Sequence, residues 1–292
     1  MRKLTEANLT EAVLARASGC KDARTRRTIQ SVIHHLHAIV REVEPTPEEW
    51  LAAIRFLTET GKMCNEDRQE FILLSDTLGI SMLVDAINNR MTAGGTESSV
   101  LGPFYVEGAP ARERGTDLAA TDSGDTATFR GRVLSSEGKP ITAAILDVWQ
   151  TAANGFYDIQ DPSQPRMHLR GRFETGIDGR YEFHTLKPVS YPIPTDGPVG
   201  TLLGLQGRQP YRPAHAHFIV SAPGYRRLVT ELFAEDDTHL DSDPVFGVKN
   251  SLVVDFKPDG SDARGRPHFL VEYDFVLERA DLGTRLTSGT AE

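Results

Sequence analysis

Two histidines one residue apart, His215 and His217, open the run HAHFIVSA, which reads as a strand. Residues i and i+2 of a strand project from one face, so both imidazoles can reach a single point, and imidazole is a common metal ligand. Taken alone, the pair leaves two readings open: a metal site, or a strand carrying two surface or core histidines. Spacing does not identify further ligands, because the chain offers seven tyrosines and 41 Asp and Glu residues whose separations in space are unknown. A zinc hydrolase would need a third histidine or a carboxylate at suitable spacing, and none stands near the pair in sequence. Arg212, three residues earlier, is by default a surface cation paired with an acid.

Composition narrows the partner. The 292 residues are 39% hydrophobic and 25% charged, with a formal net charge of −9. That balance lacks the basic stripe that a nucleic-acid partner requires and points instead to a small molecule. No apolar run of roughly 18 residues exists, which excludes membrane insertion as a helix. The opening MRKLTEANLTEAVLARASG has no apolar core of a secretory signal, and Cys20 and Cys64 make no disulfide framework, so a cytoplasmic location is expected.

The elements that must position the histidines change character along the chain. In SVIHHLHAIVREVE, Val32, Ile33, Leu36, Ile39 and Val40 recur at helical spacing. Thr46-Pro47-Glu48-Glu49 is a helix start with a reciprocal cap, and the helix it opens is expected to stop at Gly61. DRQEFILLSDTLGISMLVDAINN reads as one further helix. From about Thr126 the pattern is β: TFRGRVLSS and ITAAILDVWQTA flank a turn at Glu137–Pro140, and Asp178-Gly179 signals a hairpin between RGRFETG and RYEFHTL. Residues 187–213 read as one long Pro/Gly-rich loop, a length that is usually functional. The expected fold is α+β: helices over residues 1–95 serving as cap and dimerisation region, a linker over 96–125, and a mainly antiparallel β-sandwich catalytic domain over 126–292.

Several blocks in order carry a resemblance. LDVWQTAANGFYDIQ (146–160), KPVSYPIPTDGPVG (187–200) and GRQPYRPAHAHFIVSAPGY (207–225) resemble the signature blocks of the intradiol ring-cleavage dioxygenases, with LGPFYVEGAP (101–110) and ILLSDTLGISMLVD (72–85) similar to that family's linker and helical cap. The resemblance implies one non-haem Fe(III) per subunit, held by Tyr157, Tyr191, His215 and His217. Phenolate oxygens are hard anionic donors suited to ferric ion. It implies that Tyr191 leaves the metal and takes up a proton while the other three stay, and that Arg212 faces the substrate ring. Glu231 departs from the glutamine that many catechol-cleaving relatives place there.

Within the family, YPIPTDGPVG and DPVFGVKNSLVVDF look most like hydroxyquinol (1,2,4-trihydroxybenzene) dioxygenases. The matching ring-pocket positions are Leu73, Asp76, Val100, Ile193, Pro194 and Val245, beside Arg212. Leu73 and Asp76 share a helix face, where a buried Asp76 would reward a third hydroxyl. The implied partners are an aromatic diol or triol and O₂, with maleylacetate as product from hydroxyquinol and muconates from catechols. The resemblance also implies a homodimer through the N-terminal helices, with room for lipid at the interface. A non-catalytic β-sandwich binding module with a helical arm is the competing class; a red, iron-loaded protein would separate the two.

Overall fold

The structure is a computed structural model that describes residues 3–90, 94–119 and 121–280. The last part of the expected third segment, 281–292, therefore lies outside the described residues. The chain divides into two compact units, residues 1–58 and 59–292.

The first unit is helical: α1 (Glu6–Ala17), α2 (Ala23–Val43) and most of α3 (Pro47–Lys62). The expected cap of α3 forms as a box, with Thr46 N donating to Glu49 Oε2 at 2.8 Å and Glu49 N to Thr46 Oγ1 at 3.2 Å. α3 runs one residue past Gly61. The apolar stripe of α2 (Val32, Leu36, Ile39, Val40 and Val43) is exposed, and no α2 residue is buried.

The second unit begins with two helices where the sequence suggested one, α4 (Glu70–Thr77) and α5 (Ile80–Asn88). Gly79 breaks them apart at φ +71°, a left-handed conformation that glycine adopts without a steric penalty. Then follow β1 (Ala111–Arg112), β2 (Thr126–Ser135), β3 (Ile145–Trp149), β4 (Arg170–Glu174), β5 (Arg180–Leu186), β6 (Tyr191–Pro192), α6 (Pro198–Leu205), β7 (Tyr211–Arg212), β8 (His215–Ser221) and β9 (Leu228–Ala234). The last strands are β10 (Val253–Val254), β11 (Lys257–Ser261), β12 (Pro267–Glu272) and β13 (Phe275–Leu277).

Two sheets, ordered β1-β4-β3-β8-β9-β10 and β11-β12-β2-β13 with β5 on β2, enclose the main core. Leu146, Val148, Phe173, Ala216, Phe218 and Val220 from one sheet meet Phe129, Phe183, Val271 and Phe275 from the other. The α+β class is as expected. The long central pairings β3–β4, β3–β8, β8–β9 and β2–β5 are antiparallel, while β1–β4, β9–β10, β2–β12 and β2–β13 are parallel, so the sheets are mixed.

Two local readings need correction. The turn at Asp178-Gly179 closes as expected, but β4 and β5 lie in opposite sheets, so it is a crossover and not a hairpin. The stretch 187–213 is not structureless: β6 and β7 pair at its ends and α6 lies between them. The segment after α5 runs along the strands, with Thr96 N bonded to Val276 O, Ser99 N to Val229 O and Arg172 N to Pro110 O.

Candidate metal centre

On β8 the two-residue period sends Ala216, Phe218 and Val220 into the main core and turns His215 and His217 to the other face. The β6–β7 pairing sets Tyr191 directly opposite Arg212, and Tyr157 arrives from the segment after β3. All four residues predicted to bind metal are buried, and their side-chain tips converge. Tyr157 Oη lies 3.1 Å from Tyr191 Oη, Tyr191 Oη 3.4 Å from His215 Nε2, and His215 Nε2 3.2 Å from His217 Nε2.

The protonation pattern suits a cation. His215 Nδ1 stands 2.6 Å from the carbonyl of Pro213, which can only accept, so Nδ1 carries the proton and Nε2 presents a lone pair. Burial, helped by the Arg212 charge, lowers His215 to about 4; burial and the neighbouring His215 push His217 well below its usual value. Both rings are therefore neutral at pH 7. Burial raises both phenols above their usual value, and the nearby Tyr191 adds to the effect on Tyr157. Arg212 Nη1 reaches the same cluster, 3.0 Å from His215 Nε2. Two phenols and two neutral imidazoles packed this closely are a donor set that a hard trivalent ion would satisfy.

Behind the histidines lies a buried charge network. Arg212 Nη1 donates to Glu231 Oε1 at 2.7 Å and Nη2 to Glu231 Oε2 at 3.2 Å, while Nε and Nη2 reach Asp243 at 3.0 and 3.2 Å. Ser99 Oγ donates to Glu231 Oε2 at 2.6 Å. Burial alone would raise the Glu231 carboxyl; the Arg212 charge, aided by hydrogen bonds from Arg212 and Ser99, outweighs it and holds the group below the usual range. Glu231 Oε1 also stands 3.2 Å from His217 Nδ1 and 3.5 Å from His215 Nε2. His215, His217 and Glu231 thus form a group with metal-binding spacing. Both Glu231 oxygens are already engaged by Arg212 and one by Ser99, so the carboxylate is committed to that network and is not free to join the histidines as a ligand.

Above this floor, Leu73, Val100, Ile193 and Val245 gather in one buried cluster with Val199 and Leu203 of α6. Pro194, next to Ile193, is half-buried. Asp76 is 2% exposed, and burial raises its carboxyl to about 6 against the pull of Ser81 and Arg212. Two arginines tie this wall together. Arg68 bridges the buried Glu70 to Asp196, with Glu70 Oε1 accepting from Val199 N at 3.3 Å. Arg208 donates to the carbonyls of Thr77 and Pro244 at 2.7 and 2.6 Å.

Sequence reasoning missed Asp243, Ser99 and Trp149, and noticed Glu231 only as a departure. Trp149 stacks flat on His217 (ring centroids 4.7 Å apart, 3° between planes), yet in LDVWQTA it reads as an ordinary strand aromatic. Asp243 lies in an acidic surface-like run, DSD, with no local signal of burial.

Residues 100–279 match the family described as "Dioxygenase", and residues 22–96 the one described as "Catechol dioxygenase N terminus". The chain is 49% identical over 282 residues to a hydroxyquinol 1,2-dioxygenase of a Rhizobium species (strain MTP-10005), covering 94% of this chain and 96% of that one. Among solved structures it is similar to hydroxyquinol 1,2-dioxygenase from Pseudomonas putida DLL-E4, with a TM-score of 0.86, 49% identity and coverage of 94% and 99%. Catechol 1,2-dioxygenase from Pseudomonas arvilla C-1 superposes nearly as well, with a TM-score of 0.83 and coverage of 94% and 93%, at 28% identity. With both parts of its length matched and a full-length relative at nearly half identity, the chain belongs to the intradiol ring-cleavage dioxygenases, enzymes that open an aromatic diol between its two hydroxylated carbons.

Proposed function

We propose that this enzyme cleaves hydroxyquinol with O₂ to give maleylacetate, at one ferric ion held by Tyr157, Tyr191, His215 and His217. The observation that carries the reading is the convergence of two phenol oxygens and two imidazole nitrogens within 3.1–3.4 Å steps inside a buried site. Ferric iron, when bound there, supplies Lewis acidity and a template for the diolate. The chain does the rest. Tyr191, the ligand candidate on the two-residue strand β6, is placed to receive a diol proton. Arg212, its plane fixed by Glu231 and Asp243, lends positive charge where the ring becomes electron-rich, in a site that excludes water. Leu73, Val100, Ile193, Pro194 and Val245 form the apolar walls.

The choice of hydroxyquinol rests on Asp76 and on the relatives named for that substrate at 49% identity, against 28% and 38% for two relatives named for catechol. A buried carboxylate beside the ring wall accepts a hydrogen bond from a third hydroxyl and is left without it by catechol. Oxygen uptake by iron-loaded protein, with the two substrates in parallel and autoxidation subtracted, should be faster with hydroxyquinol and yield maleylacetate. Catechol preference would sink the substrate assignment while leaving the family. Asp76→Asn is expected to lower the hydroxyquinol-to-catechol ratio of kcat/KM by about 10- to 100-fold, the worth of one hydrogen bond to a charged group.

The same residue has a pH signature. Its folded value, about 6, lies above the ordinary 3.8, so its contribution to stability is fully present below about pH 4 and lost as pH rises through 6. Asp76→Asn should therefore stabilise the iron-free protein at pH 8 by at most about 3 kcal/mol and leave it unchanged at pH 4. Equal unfolding midpoints at pH 8 would rule out a strained, ionised Asp76.

The exposed stripe of α2 supports a homodimer through the N-terminal helices, with lipid as a further occupant of the apolar interface. Sedimentation should give the mass of two chains, and Leu36→Glu with Val40→Glu the mass of one. A monomeric wild type would remove the dimer.

A further inference from the structure

The stretch between the helices and the sandwich touches the centre in an ordered series. Ser99 bonds Glu231, as above. Gly102 follows at φ +71°, where any Cβ would come within 3.4 Å of His217 Cε1, so the backbone lies against the edge of that ring. Phe104 stacks on Tyr157, with ring centroids 4.7 Å apart and 27° between planes. Tyr105 packs on Trp149 at 5.0 Å, and its hydroxyl donates to Asp147 Oδ2 at 3.2 Å. Trp149 in turn lies flat on His217, its cross-strand partner, whose other neighbour in the same row is Glu231.

A ligand ring with an aromatic neighbour packed on its face has less freedom to swing. His217 has Trp149 flat on its face. Tyr157 has Phe104 on its face and the Arg170 guanidinium 5.8 Å from its centroid, itself paired with the buried Asp158. Tyr191, on β6 opposite Arg212, meets the edge of Tyr157 at 5.6 Å and packs on His215 at 5.4 Å. We propose that residues 99–105 form a positioning strap that fixes the planes of Tyr157 and His217, through the Phe104 stack and through the tilted Tyr105–Trp149 contact. The inference rests on the ferric-centre reading above and deepens it. Phe104, Tyr105 and Trp149 act here through the ligands and not on the reacting atoms.

The test is the rate at which a chelator strips iron from the loaded enzyme, read beside the visible tyrosinate-to-iron absorption band. Tyr105→Leu removes the ring that backs Trp149, and Phe104→Leu removes the stack on Tyr157. Each should release iron about 10- to 100-fold faster, the usual loss when an outer partner of a ligand is removed, with a shifted band. Tyr105→Phe keeps the ring and should match the wild type. Trp149→Phe leaves a smaller ring against His217 and should accelerate release by less than Tyr105→Leu; it also serves if a leucine variant fails to fold. A red wild type whose variants all release iron within twofold of it, with an unmoved band, would overturn the strap alone. A wild type that takes up no iron would overturn the ferric centre and the strap with it.

Discussion

Arg212→Met is expected to destabilise the iron-free protein by about 3–5 kcal/mol, the range for removing one partner from a buried ion pair. Arg212 is 3% exposed and touches Glu231, 0% exposed, and Asp243, 6% exposed, so its loss strands two carboxylates in the interior. The burden falls unevenly. Asp243 keeps amide donors, Gly247 N at 2.9 Å and Val245 N at 3.3 Å, while Glu231 keeps only Ser99 and the histidine edges. Adding Glu231→Gln to Arg212→Met should therefore recover much of the stability, because a neutral amide costs less to bury unpaired than a carboxylate. It should recover none of the activity. Arg212→Lys keeps the charge but not the fork that serves two carboxylates at once, and should fall between. Denaturant unfolding of the single and double variants settles the point. Stability of Arg212→Met within about 1 kcal/mol of wild type would show that the network is not held by its cation.

Tyr157→Phe should separate fold from chemistry. The phenol oxygen touches only Tyr191 Oη, and the ring keeps its Phe104 stack when the oxygen is removed. The iron-free variant is expected to unfold within about 1 kcal/mol of wild type, the net worth of one hydrogen bond. Turnover should fall by about 10³-fold or more, since several kcal/mol of metal assistance lapse with an anionic ligand. The absorption band should weaken and shift. Tyr191→Phe should leave the band partly intact, because Tyr157 remains, yet lose the group placed to take the diol proton. A Tyr157→Phe enzyme that turns over at the wild-type rate would eliminate Tyr157 as a ligand.

What could be read in the sequence depended on how local the cause was. The face shared by His215 and His217 follows from strand period alone. The cap at Thr46 and the turn at Asp178-Gly179 follow from side-chain and backbone chemistry within four residues. Whether that turn joins partners in one sheet is decided elsewhere, by β5 finding β2 and β4 finding β3, and no residue near Gly179 records it. Gly79 illustrates the ambiguity of a lone glycine, tolerated inside a helix or ending one according to its surroundings. In residues 187–213 abundant proline and glycine masked α6, although Gly197-Pro198 was a readable helix start. Tyr157 and Tyr191 entered only through resemblance, since the β6–β7 pairing and the segment after β3 bring them together in space and not in spacing. The burial of Glu231 was beyond reach for the same reason: register, not residue type, sets it beside His217.

The gathering of Tyr157, Tyr191, His215 and His217 from separate segments has a bearing on biogenesis. His215 and His217 share one strand, but Tyr157 and Tyr191 reach them only once β3, β8 and the β6–β7 ribbon are assembled, unlike a zinc finger whose ligands all lie within a short loop. The apolar interior between the two sheets is built without any of the four side chains. On the ferric reading proposed above, the sheets are expected to form before metal binds. If that reading holds, iron-starved cells are expected to hold folded, colourless enzyme that becomes active when the metal returns, without new synthesis.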